Sequence, residues 1–446
     1  MNKLRKILLI NPPYEPHGIK ESVSSTSVTL SLAMLAAVAK KLNRDVRILD
    51  LNLSSDYRTS LVDAVNDFIP ELVGITFATP LLKISDNIAL IIKELLGRNV
   101  LVVGGGPHTT ARPKETLAET CFDAVAIGEA ELSFEQLLSN CSFEGGSGWV
   151  YRGGEGYYIS GPTQLVEDID ALPFGAFELF QAEKYIYPKE SSRENPVCLI
   201  ETSRGCYGRC TFCNKNIFGY RIRLKSAKRV VDEFEYILSQ GFKEIHMADD
   251  SFTADINHAK GVCHEIIRRG LKFPWVPRSG IRVDRVTEEL LEVMKKAGCY
   301  HIPFGIESGN QAILDSIKKG ITIKQIREAV SVAKSVGMET TGYFMFGLPG
   351  ETIDTIKQTI DFALELNLDH IKFGATIPLP GTLLFDSWYQ EGRIKTLDWE
   401  KYTYSTPPWK IYDHPTLRQK DLENITILGK RLLDVANVGL HFNQSQ

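Results

Sequence analysis

Glu201 to Lys215 reads ETSRGCYGRCTFCNK. It sets Cys206, Cys210 and Cys213 at C-x3-C-x2-C spacing, directly after an apolar run, Val197–Thr202, that reads as a buried strand. Cysteine thiolates are the usual ligands of iron–sulfur clusters. A four-iron cluster on three thiolates keeps one iron open to another ligand, whereas structural zinc normally takes four protein ligands. His246 and His264 could complete a zinc set, but neither stands at a zinc-finger spacing from the motif. A reactive loop at the end of a strand is where parallel α/β folds build their sites.

Outward from this loop the sequence alternates strands and helices in both directions. Downstream, the strand pattern continues at Glu244–Ala248, Trp275–Arg278, Tyr300–Gly305, Thr340–Met345 and His370–Ala375. Val230, Val231, Phe234, Ile237 and Leu238 make one helical face ahead of Gly241. Thr322 and Gln325 form a capping box. Six strand–helix units predict an incomplete relative of the eightfold barrel, with its site at the carboxyl ends of the strands. Upstream, strands are expected at Ile7–Ile10, Val46–Leu49, Val73–Phe77, Val100–Val103 and Ala124–Ile127, separated by amphipathic helices. That pattern predicts a doubly wound parallel sheet, with ligand loops at Asn11–Tyr14, Thr76–Leu82, Gly104–Thr110 and Gly128–Glu131. The fold class is therefore α/β, with four expected regions. They are a Rossmann-like domain over 1–140, a linker with a hairpin (Trp149–Arg152 and Tyr157–Ser160) over 141–195, a partial (β/α)6 barrel over 196–385, and a helical and loop segment over 386–446. Leu422, Ile425, Leu432 and Val435 mark one helix in the last of these.

Composition bounds the function. The 446 residues are 43% hydrophobic and 24% charged, with a net charge of -4, which gives no electrostatic case for nucleic acid or an anionic membrane. The opening MNKLRKILLINPPY has a basic start, but Asn11-Pro12-Pro13 ends its apolar run well short of a signal peptide, so a first strand and a cytoplasmic protein are expected. Of the 8 cysteines, Cys121, Cys141, Cys198, Cys263 and Cys299 are scattered and expected to pack as small hydrophobes.

The cluster motif, with Phe212 as its aromatic residue, resembles the radical S-adenosylmethionine (SAM) superfamily over roughly Pro196 to Thr382. The resemblance implies a 4Fe-4S cluster on Cys206, Cys210 and Cys213, with SAM chelating the open iron and cleaved to a 5′-deoxyadenosyl radical. It also implies a reduced flavodoxin or ferredoxin as electron donor. By the same resemblance, Asp249 and Asp250 stand where the family contacts the methionyl amine, often through Gly-Gly-Glu, which is absent here. Glu307 in FGIESG would reach the SAM ribose or amine, Arg282 its carboxylate, and the segment around Gly347 its adenine side.

LLINPPY, VGGGPHTTARP (Val103–Pro113) and AIGEAELSF (Ala126–Phe134) resemble the cobalamin-binding domain that precedes many such cores. Asn11, Thr76, Thr79, Gly105, Gly106, Pro107, His108, Gly128 and Glu129 are then the expected cobalamin contacts. Gly104-Gly105-Gly106 would let backbone approach a flat ligand. The Asp-x-His-x-x-Gly sequence that supplies a lower-face histidine in many cobalamin proteins is absent, and His108 is expected at the corrinoid edge or in solvent. The resemblance implies a methyltransferase acting on an unactivated carbon of a small molecule. Two alternatives are a cobalamin-dependent cyclisation, ring contraction or other rearrangement without net methyl transfer, and a cluster-bearing electron-transfer or binding protein. Tyr343, Phe344, His370, Lys372 and the tryptophans Trp388, Trp399 and Trp409 could line a substrate pocket or simply pack.

Overall fold

A computed structural model describes residues 4–14, 27–154 and 156–427. The chain divides into two compact units. The first comprises residues up to Ile200 together with Asn214–Gly219 and Asp232–Glu244, and the second comprises Glu201–Cys213, Tyr220–Val231 and the chain from Ile245 onward.

In the first unit, β1 (Lys6–Asn11), β2 (Asp45–Asp50), β3 (Leu72–Thr76), β4 (Leu101–Gly105), β5 (Ala124–Ala126), β6 (Trp149–Gly153) and β7 (Gly156–Ile159) form one sheet in the order β2-β1-β3-β4-β5-β6-β7. Strands β1 to β5 pair in parallel. The order 2-1-3-4-5 reverses between β1 and β3, so the crevice beyond Asn11 and Thr76 is the switch point where such sheets bind ligands. Ile7, Leu9, Leu72 and Val103 bury one face against Leu32 and Ala36 of the helix Leu30–Lys41 and Phe134 and Leu137 of Glu131–Asn140. The hairpin expected in a linker is instead part of this sheet: β6 runs antiparallel to β5, with Val125 opposite Val150, and β7 completes the edge.

After β8 (Val197–Ile200), the second unit carries a short antiparallel pair, β9 (Ser203–Arg204) with β10 (Arg223–Leu224). Parallel strands follow. β11 (Glu244–Met247) pairs with β12 (Trp275–Pro277), and β13 (His301–Glu307), β14 (Glu339–Phe346) and β15 (His370–Ala375) form a further sheet. Bridges Trp275–Cys299 and Ile281–Phe304 link the β12 region to β13. These barrel-like sheets are flanked by capped helices. Asp255 caps Ile256–Arg269, and both Thr322 with Gln325 and Thr352 with Thr355 close capping boxes.

Beyond β15 the tryptophans pack rather than line a pocket. Trp388 and Trp399 are buried, and Trp409 packs on a cluster that joins Phe346 and Ile356 to Leu417, Leu422 and Ile425. Leu432 and Val435 lie outside the described residues. A helix at Leu383–Gln390 was not expected from the pattern. No described helix is long and apolar enough to cross a membrane.

Candidate active site

The loop after β8 is held from below by a carboxylate. Asp249, at the end of β11, is buried and accepts hydrogen bonds from the backbone N–H of Thr202 (2.5 Å) and Ser203 (2.7 Å) and from the Thr202 hydroxyl (2.9 Å). Burial pushes its pKa up to about 6, against those hydrogen bonds. Asp250 accepts from Gly205 N–H at 3.1 Å. The loop therefore enters with its first backbone donors already tied. Further on, Thr211 N–H donates to the Ile317 carbonyl (3.0 Å), and the Thr211 carbonyl accepts from Leu384 N–H (2.9 Å). Phe212 packs against the cluster of Ile313, Ile317 and Leu348, so the aromatic of the motif fastens the loop to the barrel.

Between these anchors stand the thiols. The nearest atoms to a Cβ built on Gly208 would be Cys206 Sγ and Arg282 Nη1, both at 3.4 Å, with Cys210 Sγ at 3.9 Å. A side chain at position 208 would fill the cradle between two sulfurs. Gly208 N–H also approaches Cys206 Sγ at 3.4 Å, and Cys213 N–H donates to the Cys210 carbonyl in a tight turn. Among the described residues no three His, Cys, Asp or Glu side chains converge as ligands of a single ion. A four-iron cube takes its thiolates on separate corners, so the donor set and the glycine cradle fit a cluster.

Around the thiols lies a cationic wall. Arg282 is held by Asp284 (2.9 and 3.3 Å) and by the Lys319 and Gly320 carbonyls (3.1 and 3.3 Å), with its guanidinium over the Tyr207 ring at 5.1 Å. Glu307 ends β13 at a bulge with φ +68°. A non-glycine residue in that region costs on the order of 1–2 kcal/mol. Its carboxylate meets Lys319 Nζ at 2.7 Å, folded over Gly305, where a Cβ would lie 3.0 Å from both groups. Burial alone would lower the Lys319 pKa, but Glu307 and Cys210 outweigh it and hold the amine above its usual value. Lys319 also lies 5.9 Å from the Phe212 ring centre. Neither Lys319 nor Tyr404 stood out in the sequence. Tyr404, 80% exposed to water, stands near enough to Glu307 to feel its charge. Lys319 sits in an ordinary surface-like run, Lys318-Lys319-Gly320, and only the return of the chain after the helix Gln311–Ser316 brings it to Glu307.

Gly347 stands at φ +80°, and a Cβ there would come within 2.7 Å of the Tyr412 hydroxyl. Its N–H and that of Leu348 donate to Glu351 Oε2 at 2.6 and 2.9 Å. Burial raises the Glu351 pKa to about 7 despite both bonds.

At the carboxyl edge of the first sheet, the three glycines divide. A Cβ on Gly106 would lie 2.5 Å from the Phe77 carbonyl oxygen, and one on Gly104 would lie 3.1 Å from the Phe77 ring. On Gly105 it would meet nothing closer than Ala126 Cβ at 3.9 Å. Gly104 and Gly106 thus serve protein packing, and Gly105 alone keeps open space at the strand end, as a large flat ligand requires. His108 is not in solvent. It is buried, its Nδ1 lies 3.2 Å from Thr79 Oγ1, and burial, with Arg112, lowers its pKa to about 4. Asn11 donates to Asp50 at 3.0 Å. Thr76 lies 3.5 Å from the Ser31 hydroxyl. Pro107, exposed, opens the helix Pro107–Ala111. Gly128 (φ +71°) accepts no side chain because Thr163 stands 2.8 Å from its Cβ position, and Glu129 is buried with its carboxylate on Val166 N–H at 2.8 Å. A hollow of about 1120 Å³ lined by Leu4, Pro70, Leu96 and Leu101 opens at the opposite, amino-terminal edge. The switch-point rule favours the carboxyl edge over it.

The chain matches the family model of the Radical SAM superfamily over residues 200–363 and that of the B12 binding domain over residues 16–138. It is 36% identical over 417 residues to an uncharacterized methyltransferase of Pyrococcus horikoshii, covering 92% of this chain and 88% of that one. It is 28% identical to the cytidylyl-2-hydroxyethylphosphonate methyltransferase of Streptomyces wedmorensis, covering 88% and 83%. Its fold is shared with the radical S-adenosylmethionine methyltransferase TsrM from Kitasatospora setae, solved with cobalamin and a 4Fe-4S cluster, at TM-score 0.71 and 21% identity over 87% of this chain and 75% of that one. With two cofactor-domain models on one chain and a relative aligned across nine-tenths of it, the protein belongs to the cobalamin-binding radical SAM enzymes, whose cofactors are a 4Fe-4S cluster, SAM and cobalamin.

Proposed function

We propose that this enzyme is a methyltransferase that adds a methyl group to an unactivated carbon of a small molecule. The observation that carries the reading is that both cofactor regions lie on a chain aligned almost end to end with methyltransferases. When bound, the cluster and SAM supply a 5′-deoxyadenosyl radical and cobalamin supplies the methyl group. Cys206, Cys210 and Cys213 hold the cluster, and Asp249 keeps their loop in place through Thr202 and Ser203. That geometry supports a positioning role for Asp249 and moves the expected contact with the methionyl amine to Asp250 and Glu307. Lys319 holds the Glu307 carboxylate in place at 2.7 Å, as an acceptor for an ammonium or a ribose hydroxyl. Arg282 faces the thiols as a fixed cation suited to the SAM carboxylate. The Gly347 segment, braced by Glu351, offers the adenine side a rigid backbone.

We assign cobalamin to the N-terminal sheet (1–140, extended by the β6–β7 hairpin) and SAM to the barrel (196–385). Asn11, Thr76, Thr79, Gly105, Gly106, Pro107, Gly128 and Glu129 supply the strand-end loops around the corrinoid. His108, neutral and bonded to Thr79, is not offered as a cobalt ligand. A cytoplasmic setting with reduced flavodoxin or ferredoxin as electron donor completes the reading. The test is anaerobic incubation with methyl-labelled SAM, a reductant and candidate metabolites. Label in a product one carbon larger, together with 5′-deoxyadenosine, is expected. A product of unchanged carbon count would favour cyclisation or rearrangement.

A further inference from the structure

The turn that follows β14 is tied to residues far beyond it in the chain. Gly347 and Leu348 give their N–H groups to Glu351. The Leu348 side chain is buried with Ile313 and Ile317 in the small cluster on which Phe212 of the cysteine loop packs. This packing places the turn beside the cluster loop. The Leu348 carbonyl accepts from Glu351 N–H at 3.2 Å and, at 2.9 Å, from Nε2 of His414, 66 residues downstream.

His414 is held in one orientation. Its Nδ1 accepts from the backbone N–H groups of Thr416 (3.2 Å) and Leu417 (3.0 Å). That nitrogen therefore carries no proton, and the N–H of the neutral ring is on Nε2, aimed at Leu348. Burial lowers the pKa of the ring, against the opposing effect of the Leu348 bond, which keeps it neutral. The backbone before it is fixed by an antiparallel bridge, in which Lys395 N–H donates to the Ile411 carbonyl (2.8 Å) and Asp413 N–H to the Arg393 carbonyl (2.9 Å). The Thr416 hydroxyl adds a second tie, to the Glu351 carbonyl. Trp388 packs edge-on against the His414 ring at 5.8 Å and against Tyr412 at 4.6 Å between ring centres. That tryptophan belongs to the helix Leu383–Gln390, whose Leu384 N–H donates to the Thr211 carbonyl of the cluster loop. One stretch of chain beyond β15 thus reaches both the cysteine loop, through Leu384, and the turn, through His414.

We propose that His414 is a positioning residue for SAM: its Nε2–H holds the Gly347–Gly350 turn beside the cluster loop, which makes the segment beyond β15 part of how the enzyme binds SAM. The proposal rests on the radical SAM reading only in taking SAM as the ligand this turn faces. Two of the four residues of the turn are glycines at positive φ, Gly347 at +80° and Gly350 at +81°, where the backbone has most freedom to lose. A donor that cannot rotate away limits that freedom. A turn ordered before SAM arrives spares the ligand the entropy of ordering it, and the saving appears as affinity.

The test is equilibrium dialysis of radiolabelled SAM against the full-length, cluster-reconstituted protein under anaerobic conditions, with iron and sulfide measured on the same samples. Two variants separate the two nitrogens of the ring. In His414→Asn the amide oxygen takes the place of Nδ1 for Thr416 and Leu417, while Leu348 loses its donor. In His414→Gln the amide nitrogen reaches the place of Nε2 and restores that donor. His414→Asn is expected to keep its iron and bind SAM about threefold to tenfold more weakly, and His414→Gln to recover most of the loss. Unchanged affinity in His414→Asn, or equal weakening in His414→Gln, would overturn the positioning role. A loss of iron in His414→Asn that accounts for the lost SAM would overturn it too, by making the effect one of folding. These failures leave the radical SAM reading standing. No SAM bound by the unaltered protein with its cluster intact would instead overturn the SAM reading of the whole site, and this proposal with it.

Discussion

Asp249 and Glu307 are both carboxylates at strand ends, yet their surroundings give them different work. Asp249 has three donors from Thr202 and Ser203, while Glu307 pairs with one cation, Lys319. Replacing Asp249 with Ala strands two buried backbone N–H groups at about 1–3 kcal/mol each. Asp249→Ala should therefore lower the iron and sulfide retained per chain. Glu307→Gln should keep the iron and weaken SAM binding about tenfold or more. Full iron in Asp249→Ala combined with weakened SAM would return Asp249 to the ligand side. Glu351 makes a pH prediction. Its pKa rises from 4.5 to about 7 on burial, so the native state holds the proton that the unfolded chain releases. Stability should then fall as pH rises through that window, by roughly 3 kcal/mol at most, and level off above it. Glu351→Gln keeps an acceptor for the Gly347 and Leu348 N–H groups. Melting temperatures at pH 5.5 and 8 should differ less in this variant than in the unaltered protein.

The strand-end turn at Gly104–Gly106 shows how an element can mislead when read as a motif. Three consecutive glycines suggest a ligand cradle, but two of them answer to Phe77. Gly106→Ala would force a Cβ toward the Phe77 carbonyl at φ +118° and should cost several kcal/mol in folding, on the order of 2–5 from strain and overpacking together. Gly105→Ala should melt like the unaltered protein and lose affinity for cobalamin, which absorption spectroscopy of the bound corrinoid can follow. If Gly105→Ala binds normally, the open space at β4 is not the corrinoid face. The cluster loop is the opposite case, where the motif is local but its support was hidden. Cys206→Ala, Cys210→Ala and Cys213→Ala should each abolish the cluster's absorbance, while Cys263→Ser should keep it. Cys263 is buried in its helix with its thiol pushed up to about 12 by burial.

At the scale of the molecule, the boundary of the first sheet has a consequence for dissection. A fragment ending near residue 140 would remove β6 and β7, expose the edge of β5 and take away Val166, the partner of Glu129. An unpaired edge strand is an aggregation template. Such a fragment should aggregate at concentrations where the full chain stays monodisperse in light scattering, and a soluble, cobalamin-binding 1–140 fragment would show that the hairpin is dispensable. The linker expectation failed here for a physical reason. Trp149–Arg152 and Tyr157–Ser160 plainly read as a hairpin, but nothing local tells a hairpin which edge to join.

The sequence by itself determined the cysteine triad, because metal-ligand spacing is a local property of one loop. It determined the alternating strands and helices, because periodicity of 2 and of 3.6 is written within each segment. It determined the cap at Thr322, whose partner Gln325 lies three residues away. The tertiary structure decided everything that depends on residues far apart in the chain. Asp249 became the anchor of Thr202, Lys319 the partner of Glu307 across a bulge, Phe77 the reason for Gly106, and His108 a buried neutral ring rather than a solvent one. Each of these turns on which strand end lies beside which. Burial and hydrogen bonding, which set a side chain's charge and freedom, are fixed only when those ends meet.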